Sequence, residues 1–143
     1  CTLCAVSKNQ SLAKITALVQ AGQLHFAENY LSEALPKISA LREFSLIWHF
    51  IGRLQSRKIP EIAQHFSWVQ SVTRLKEVEL LNKHRPEQLP PLQVCLQINI
   101  DGSSQKGGLF AEEAADFAKH LHDYPKIQLR GLMAIPDPIL EGD

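Results

Sequence analysis

Lys8 is the residue whose position points most directly to chemistry. It ends the run Leu-Cys-Ala-Val-Ser-Lys at 3–8, whose apolar residues are typical of a short buried β-strand. A lysine that ends a strand inside an apolar barrel favours its neutral amine, which condenses with aldehydes to a Schiff base. The residues alone leave open the alternative of a solvated lysine in a loop.

Six segments have the composition of strands, and a helical pattern follows each of the first five. The predicted strands are 3–8, 24–29, 46–52, 68–72, 92–100 and 127–135. The predicted helices are 9–23, 30–41, 56–66, 74–84 and 110–124. Ser11 and Thr73 are the predicted N-caps of the first and fourth helices, and Pro36 predicts that the second helix is kinked or begins late.

This alternation of strand and helix is the signature of a parallel α/β sheet. A doubly wound sheet normally carries a Gly-rich first turn, and G-x-G-x-x-G is absent. A TIM (β/α)8 barrel needs eight units and about 250 residues, whereas this sequence shows about six. An incomplete barrel would leave its first and sixth strands as open edges, through which the chain could self-associate.

Polar residues near the carboxyl ends of the other strands form a second set of candidates, because parallel α/β proteins bind ligands at those ends. Asn29 ends the second strand, His49 lies in the third, and Met133 lies near the end of the sixth. Gln97 and Asn99 share one face of the fifth strand, which makes Asn99 a candidate ligand contact. An amide network without a ligand is the alternative, since buried amides need hydrogen-bond partners.

Composition excludes several classes of protein. Fifteen basic and fifteen acidic residues give a net charge of zero, which argues against a nucleic-acid partner. No apolar run approaches the ~18 residues of a membrane span. The three cysteines, with no secretory signal, are typical of a reducing cytoplasm. The pair Cys1-x-x-Cys4 leads into a strand and lacks a second pair, so neither a redox motif nor a metal site is predicted.

Five motifs together resemble a known family. In order they are AVSK, FAENY, WHFIGRLQSRK, LQINI with KGG, and RGLMAIP. They resemble the YggS/PROSC family of pyridoxal 5′-phosphate (PLP) homeostasis proteins, related to the barrel domain of bacterial alanine racemases. The resemblance covers essentially the whole chain, and it implies a single PLP-binding barrel domain over 1–143 with the TIM (β/α)8-type fold.

The resemblance also implies a set of cofactor-binding residues. Lys8 is the lysine that holds PLP as a Schiff base, and Asn29 lies beside the cofactor. Met133 packs near the ring, while His49 belongs to the core signature and has a structural role before a chemical one. Lys106, in the K-x-G loop, lies at the barrel mouth as a second amine that handles PLP in transit.

The family's phosphate-binding residues follow its seventh strand and lie near its eighth, beyond Asp143. By this comparison the domain is expected to be truncated at both ends and to bind PLP weakly by itself. The expected function is intracellular PLP homeostasis by a non-catalytic, cytoplasmic carrier that passes PLP to PLP-dependent apoenzymes. The alternatives are a racemase or decarboxylase-like PLP enzyme, a cofactor-free Schiff-base aldolase, and an inactive barrel remnant.

Overall fold

Six parallel strands form one sheet in the computed structural model, which describes residues 1–102 and 107–136. Each strand is hydrogen-bonded to the next in chain order, so β1 and β6 are the outer strands of the described sheet. The strands are β1 (Ala5–Val6), β2 (His25–Glu28), β3 (Ile47–Phe50), β4 (Trp68–Val72), β5 (Leu92–Gln97) and β6 (Ile127–Met133). This architecture confirms the predicted α/β class and the incomplete barrel.

Five helices connect the strands, and two short 3-10 turns accompany them. The helices are α1 (Leu12–Gln20), α2 (Leu31–Ala40), α3 (Ile59–His65), α4 (Leu75–His84) and α5 (Ala111–His120). The 3-10 turns are Ser56–Lys58 before α3 and Leu121–Asp123 after α5. None of the helices in the described ranges combines the length and the apolar character needed to cross a bilayer.

The fifth strand shows how the sheet divides its two faces. Every second residue is fully buried and the residues between are half-buried, as the period of a strand requires. The buried residues are Leu92, Val94 and Leu96, and the half-buried ones are Gln93, Cys95 and Gln97. The buried set packs into the core beneath the helices, so β5 has an apolar outer face and a more polar inner face.

Five of the six strands in the described sheet are shorter than predicted, and only β4 has its predicted bounds. The first spans only Ala5–Val6, because it has a strand on one side only and forms few ladder bonds. The fifth ends at Gln97, because the chain leaves the sheet after it and makes an isolated bridge between Ile98 and Leu109.

The helix starts agree with the sequence in one case and differ in two. Ser11 caps α1 by accepting a hydrogen bond from the Lys14 amide. Thr73 does not cap α4, because Arg74 is the N-cap of this helix. The Glu77 carboxylate accepts from the backbone amides of Thr73 and Arg74. Of the two effects predicted from Pro36, the late start is wrong, since α2 spans Leu31–Ala40 with this proline inside it, and the kink stays a prediction.

Arg85 joins three segments of the outer layer. Its guanidinium donates to the carbonyl oxygens of Ala63 and Phe66 at the end of α3, at 2.9 and 2.6 Å. It also donates to the Pro90 carbonyl at 3.0 Å, and the residue is buried. These bonds satisfy carbonyl groups that the end of a helix leaves without partners.

Replacing Arg85 by methionine keeps most of its apolar stem and removes the donors. We expect Arg85→Met to lower the free energy of unfolding by about 2–4 kcal/mol, because buried acceptors then lose a charged partner. Urea unfolding measures the change, and Arg57→Met, at an exposed arginine, is the control. Equal losses in both variants would contradict this role for Arg85.

Candidate functional site

A cavity of about 630 Å³ opens at the carboxyl ends of the strands. Its lining comes from residues at or after the ends of β2 to β6. These include Asn29, Gly52, Arg53, Ser71, Arg74, Gln97 and Ile135. A smaller cavity of about 140 Å³ shares Gln97 and Ile135 with it and adds Asn99. The strand ends therefore form one concave rim, as the sequence predicted.

Lys8 lies on the turn that follows β1, at one side of this rim. Its side chain is exposed and is not part of the cavity lining. Within residues 1–102 and 107–136, its amine has no hydrogen-bond or ion-pair partner. In the described sheet β1 has a neighbouring strand on one side only, and the enclosure of Lys8 by an apolar barrel stays a prediction.

Asn29 is held at the rim by the close approach of two backbones. A side chain at Gly52 would overlap the carbonyl group of Asn29, so the absence of a Cβ there lets the ends of β2 and β3 meet. The Asn29 Oδ1 atom is buried and has no hydrogen-bond partner among the described residues. A buried acceptor without a partner is costly, and a ligand that donates a hydrogen bond would satisfy it. The sequence did not mark Gly52 as a site residue, because a glycine at the end of a predicted strand carries no signal of a close backbone contact.

The remaining candidates lie on the β5 and β6 side of the rim. Met133 is paired in register with Gln97 and is half-buried, so both side chains point to the inner face. The Asn99 amide donates to the Leu109 carbonyl at 2.7 Å. Lys106 falls outside the described residues.

His49 lies inside the sheet's inner face with both ring nitrogens engaged. Its Nε2 is 2.9 Å from His25 Nδ1, and its Nδ1 is 2.9 Å from the Gln70 amide nitrogen. Its ring stacks on Trp68 at 5.1 Å, and the Arg130 guanidinium lies 5.2 Å from the centre of the Trp68 ring. Burial, with a smaller effect of His25, lowers the pKa of His49 from 6.5 to about 4. The His49 ring is therefore a neutral, packed group near pH 7.

Sequence reasoning missed a buried ionic cluster behind the Lys8 turn. Lys37 of α2 contacts Glu28 at the end of β2 and Glu33 one helical turn away, at 2.6 and 2.9 Å. Two signals could have found it. Glu33 and Lys37 are spaced i, i+4 on a helix, and Glu28 lies two residues from Phe26 and so faces the core.

Comparison with known sequences gives one family for nearly the whole chain. Residues 1–137 match the family model described as "Alanine racemase, N-terminal domain". The chain is 48% identical over 139 residues to a Pseudomonas aeruginosa protein named "Pyridoxal phosphate homeostasis protein". It is 44% identical over 140 residues to the Escherichia coli K12 protein of the same name. These alignments cover 97% and 96% of this chain, which spans about 60% of the length of each relative.

Comparison with solved structures agrees with the sequences. PipY from Synechococcus elongatus PCC7942, solved with PLP bound, superposes with a TM-score of 0.87 at 33% identity, over 97% of this chain and 65% of PipY. An alanine racemase from Clostridium difficile 630 superposes with a TM-score of 0.71 at 15% identity, over 93% of this chain and 35% of the racemase, and shows the fold alone. The resemblance read from the five motifs is confirmed.

The buried His49 predicts a dependence of stability on pH. Its folded pKa, about 4, lies below its ordinary 6.5, so its neutral form is favoured in the folded state. This contribution is complete above the ordinary pKa and is lost as pH falls through the folded value. We expect the free energy of unfolding to fall less on acidification in His49→Gln than in wild type, as measured by urea unfolding at several pH values. Equal slopes would contradict the assignment, and His65→Gln, at an exposed histidine, is the control.

The contact between Gly52 and Asn29 predicts a steric effect. We expect Gly52→Ala to lower the free energy of unfolding by about 1–3 kcal/mol, because the added methyl group must push the β2 and β3 ends apart. Gly131→Ala is the matched control, since a Cβ there would meet no atom within 4 Å. Urea unfolding compares the two, and a tolerated Gly52→Ala would show that the rim is not closely packed.

Proposed function

The chain belongs to the alanine racemase N-terminal domain family, and from this we propose that it binds PLP, with Lys8 Nζ as the point of covalent attachment. When bound, PLP supplies an aldehyde that condenses with a primary amine and releases one water. We propose that the chain uses this attachment for PLP homeostasis as a carrier. The observation that carries the proposal is the 0.87 TM-score superposition on PLP-bound PipY, a relative with 33% identity.

The residues at the rim fit such a ligand. The cavity of about 630 Å³ lies within the usual range for small-molecule sites. Lys8 offers an amine without a partner among the described residues, on the turn that follows β1 at the same end of the sheet. The buried Asn29 Oδ1 is an acceptor that suits a hydroxyl donor, which PLP carries on its ring. Aldehyde and hydroxyl thus each have a counterpart at the carboxyl ends of the strands.

The other candidates take supporting roles in this proposal. Met133 and Asn99 contact the cofactor from the β5 and β6 side, which their place on the inner face and at the neighbouring cavity supports. His49 shapes the floor of the site through its contacts with His25 and Gln70. Lys106 is proposed as a second amine for PLP in transit.

The carrier role, its partners and its setting belong to the same proposal. The names of the curated relatives support homeostasis over catalysis as the role of this single barrel domain. We propose PLP-dependent apoenzymes as recipients, self-association through the outer strands β1 and β6, and a cytoplasmic location. The exposed Leu132 on β6 supports the association, and three free cysteines support the location.

Borohydride reduction tests the attachment point. We expect PLP followed by borohydride to modify Lys8 selectively in wild type, because its amine has no competing partner among the described residues. Peptide mass mapping identifies the modified lysine, and absorbance of amine-bound PLP measures the affinity. Lys8→Arg should weaken binding at least ~10-fold, since a guanidinium does not form this bond. Lys14→Arg is the control at an exposed lysine, and modification spread over many surface lysines would overturn the proposal.

A further inference from the structure

The backbone on both sides of Lys8 is held by side chains of α2. The Ser7 carbonyl oxygen accepts a hydrogen bond from Lys37 Nζ at 2.7 Å, and the Asn9 amide donates to Glu33 Oε1. Lys37 and Glu33 are themselves paired at 2.9 Å. The peptide groups immediately before and after Lys8 are therefore tied to one ion pair.

This ion pair is anchored in the core by Glu28. Lys37 Nζ lies 2.6 Å from Glu28 Oε1, and the Ser7 hydroxyl donates to the same oxygen at 2.9 Å. The Glu28 side chain is fully buried, and that of Lys37 is 9% exposed. Since buried charges persist only when paired and hydrogen-bonded, these groups have little freedom to move apart. The cluster links the ends of β1 and β2 to α2.

The Lys37 ammonium group is saturated by this arrangement. Its three protons have three acceptors, which are the Ser7 carbonyl, Glu28 and Glu33. Burial by itself acts to lower the pKa of Lys37, but its hydrogen bonds to the two carboxylates outweigh this and raise the pKa. Lys37 therefore stays protonated and is no nucleophile, although it lies next to the turn that carries Lys8.

The turn itself needs external support. Asn9 has a positive φ of 59°, in the left-handed region that costs most residues energy and that asparagine tolerates best. Besides the bonds to α2, the Gln10 amide donates to the Ser7 carbonyl at 3.1 Å. An exposed turn of this kind has few contacts to keep it in one conformation. The hydrogen bonds to α2 therefore fix the backbone position of Lys8.

We propose that Lys37, together with Glu33 and Glu28, forms a positioning cluster that fixes the Lys8 turn and so directs the Lys8 amine to the rim. The proposal rests on Lys8 as the attachment point for PLP. It assigns Lys37 no contact with the cofactor. The cluster acts through the peptide groups of Ser7 and Asn9, and its loss slows attachment at Lys8 without supplying or removing a nucleophile.

Two measurements test the cluster, one with PLP and one without it. Amide hydrogen exchange at Asn9 reports the turn in the unliganded protein, and the rate of Lys8 modification by PLP and cyanoborohydride reports attachment. We expect Lys37→Met to raise Asn9 exchange about tenfold. The Ser7 carbonyl then loses its donor, and Glu33, the acceptor of the Asn9 amide, loses its partner. We expect it to slow Lys8 modification at least ~10-fold, because a misplaced reacting group loses its alignment.

Matched variants separate positioning from general stability. Val78→Ala, at a fully buried valine of α4, should lower stability while leaving Lys8 modification at the wild-type rate in the folded protein. If Lys37→Met fails to fold, Glu33→Ala removes the acceptor of the Asn9 amide and leaves the pair of Lys37 with Glu28 intact. Glu33→Ala should raise Asn9 exchange at least as much as Lys37→Met does, because the amide loses its acceptor, and should slow Lys8 modification in smaller degree. Glu61→Ala, at an exposed helical glutamate, should show neither change.

The outcomes separate this proposal from the proposed function. Wild-type rates of Lys8 modification in both Lys37→Met and Glu33→Ala would overturn the positioning role, even if Asn9 exchange rises. An equal slowing in Val78→Ala would also overturn it. If wild-type protein is not modified at Lys8, the proposed function fails, and exchange at Asn9 then decides alone whether Lys37 holds the turn.

Discussion

Parallel pairing of the strands in chain order is the constraint on which the rest of this structure depends. Because all six strands of the described sheet run the same way, their carboxyl ends meet at one rim. The same pairing keeps residues of equal register on the same face, so Phe26 and Trp48 join one apolar layer while Ala27 and His49 share the other face. A core on one face and a cavity at one end both follow from this single arrangement.

Glu28 is the charged exception on the apolar face, and its burial explains why it needs Lys37 as a partner. Its register places a carboxylate in the layer that holds Phe26 and Trp48. Its Oε2 atom is buried with no partner among the described residues, so the cost of its desolvation is offset at Oε1, where Lys37 and Ser7 donate. A carboxylate in this place gives the contact between the end of β1 and α2 a more defined geometry than an apolar side chain could, because its hydrogen bonds are directional.

The fold was predictable because its signals are local. Apolar segments that alternate with helical patterns are visible in any short window, and the two-residue period of a strand by itself assigns Leu96 and Gln97 to opposite faces of β5. The surroundings of Lys8 were not predictable, because its turn is held by Lys37, which lies 30 residues from Ser7 in the sequence. The predicted cap of α4 was wrong for a related reason: Arg74 takes the N-cap position, and the Glu77 side chain folds back to accept from the Thr73 and Arg74 amides.

Lys8 and Lys37 show how one fold gives the same functional group two roles. Both amines lie beside the end of β1, yet Lys37 has three acceptors whereas Lys8 has no partner among the described residues. Hydrogen bonds to carboxylates stabilise the charged form of Lys37, and a charged amine does not attack an aldehyde. The difference arises from contacts: Ser7, just after β1, donates to Glu28 and accepts from Lys37, whereas the side chain of the next residue, Lys8, is exposed. The contacts of the cluster thus distinguish the amine proposed to hold the Lys8 turn from the amine proposed to react.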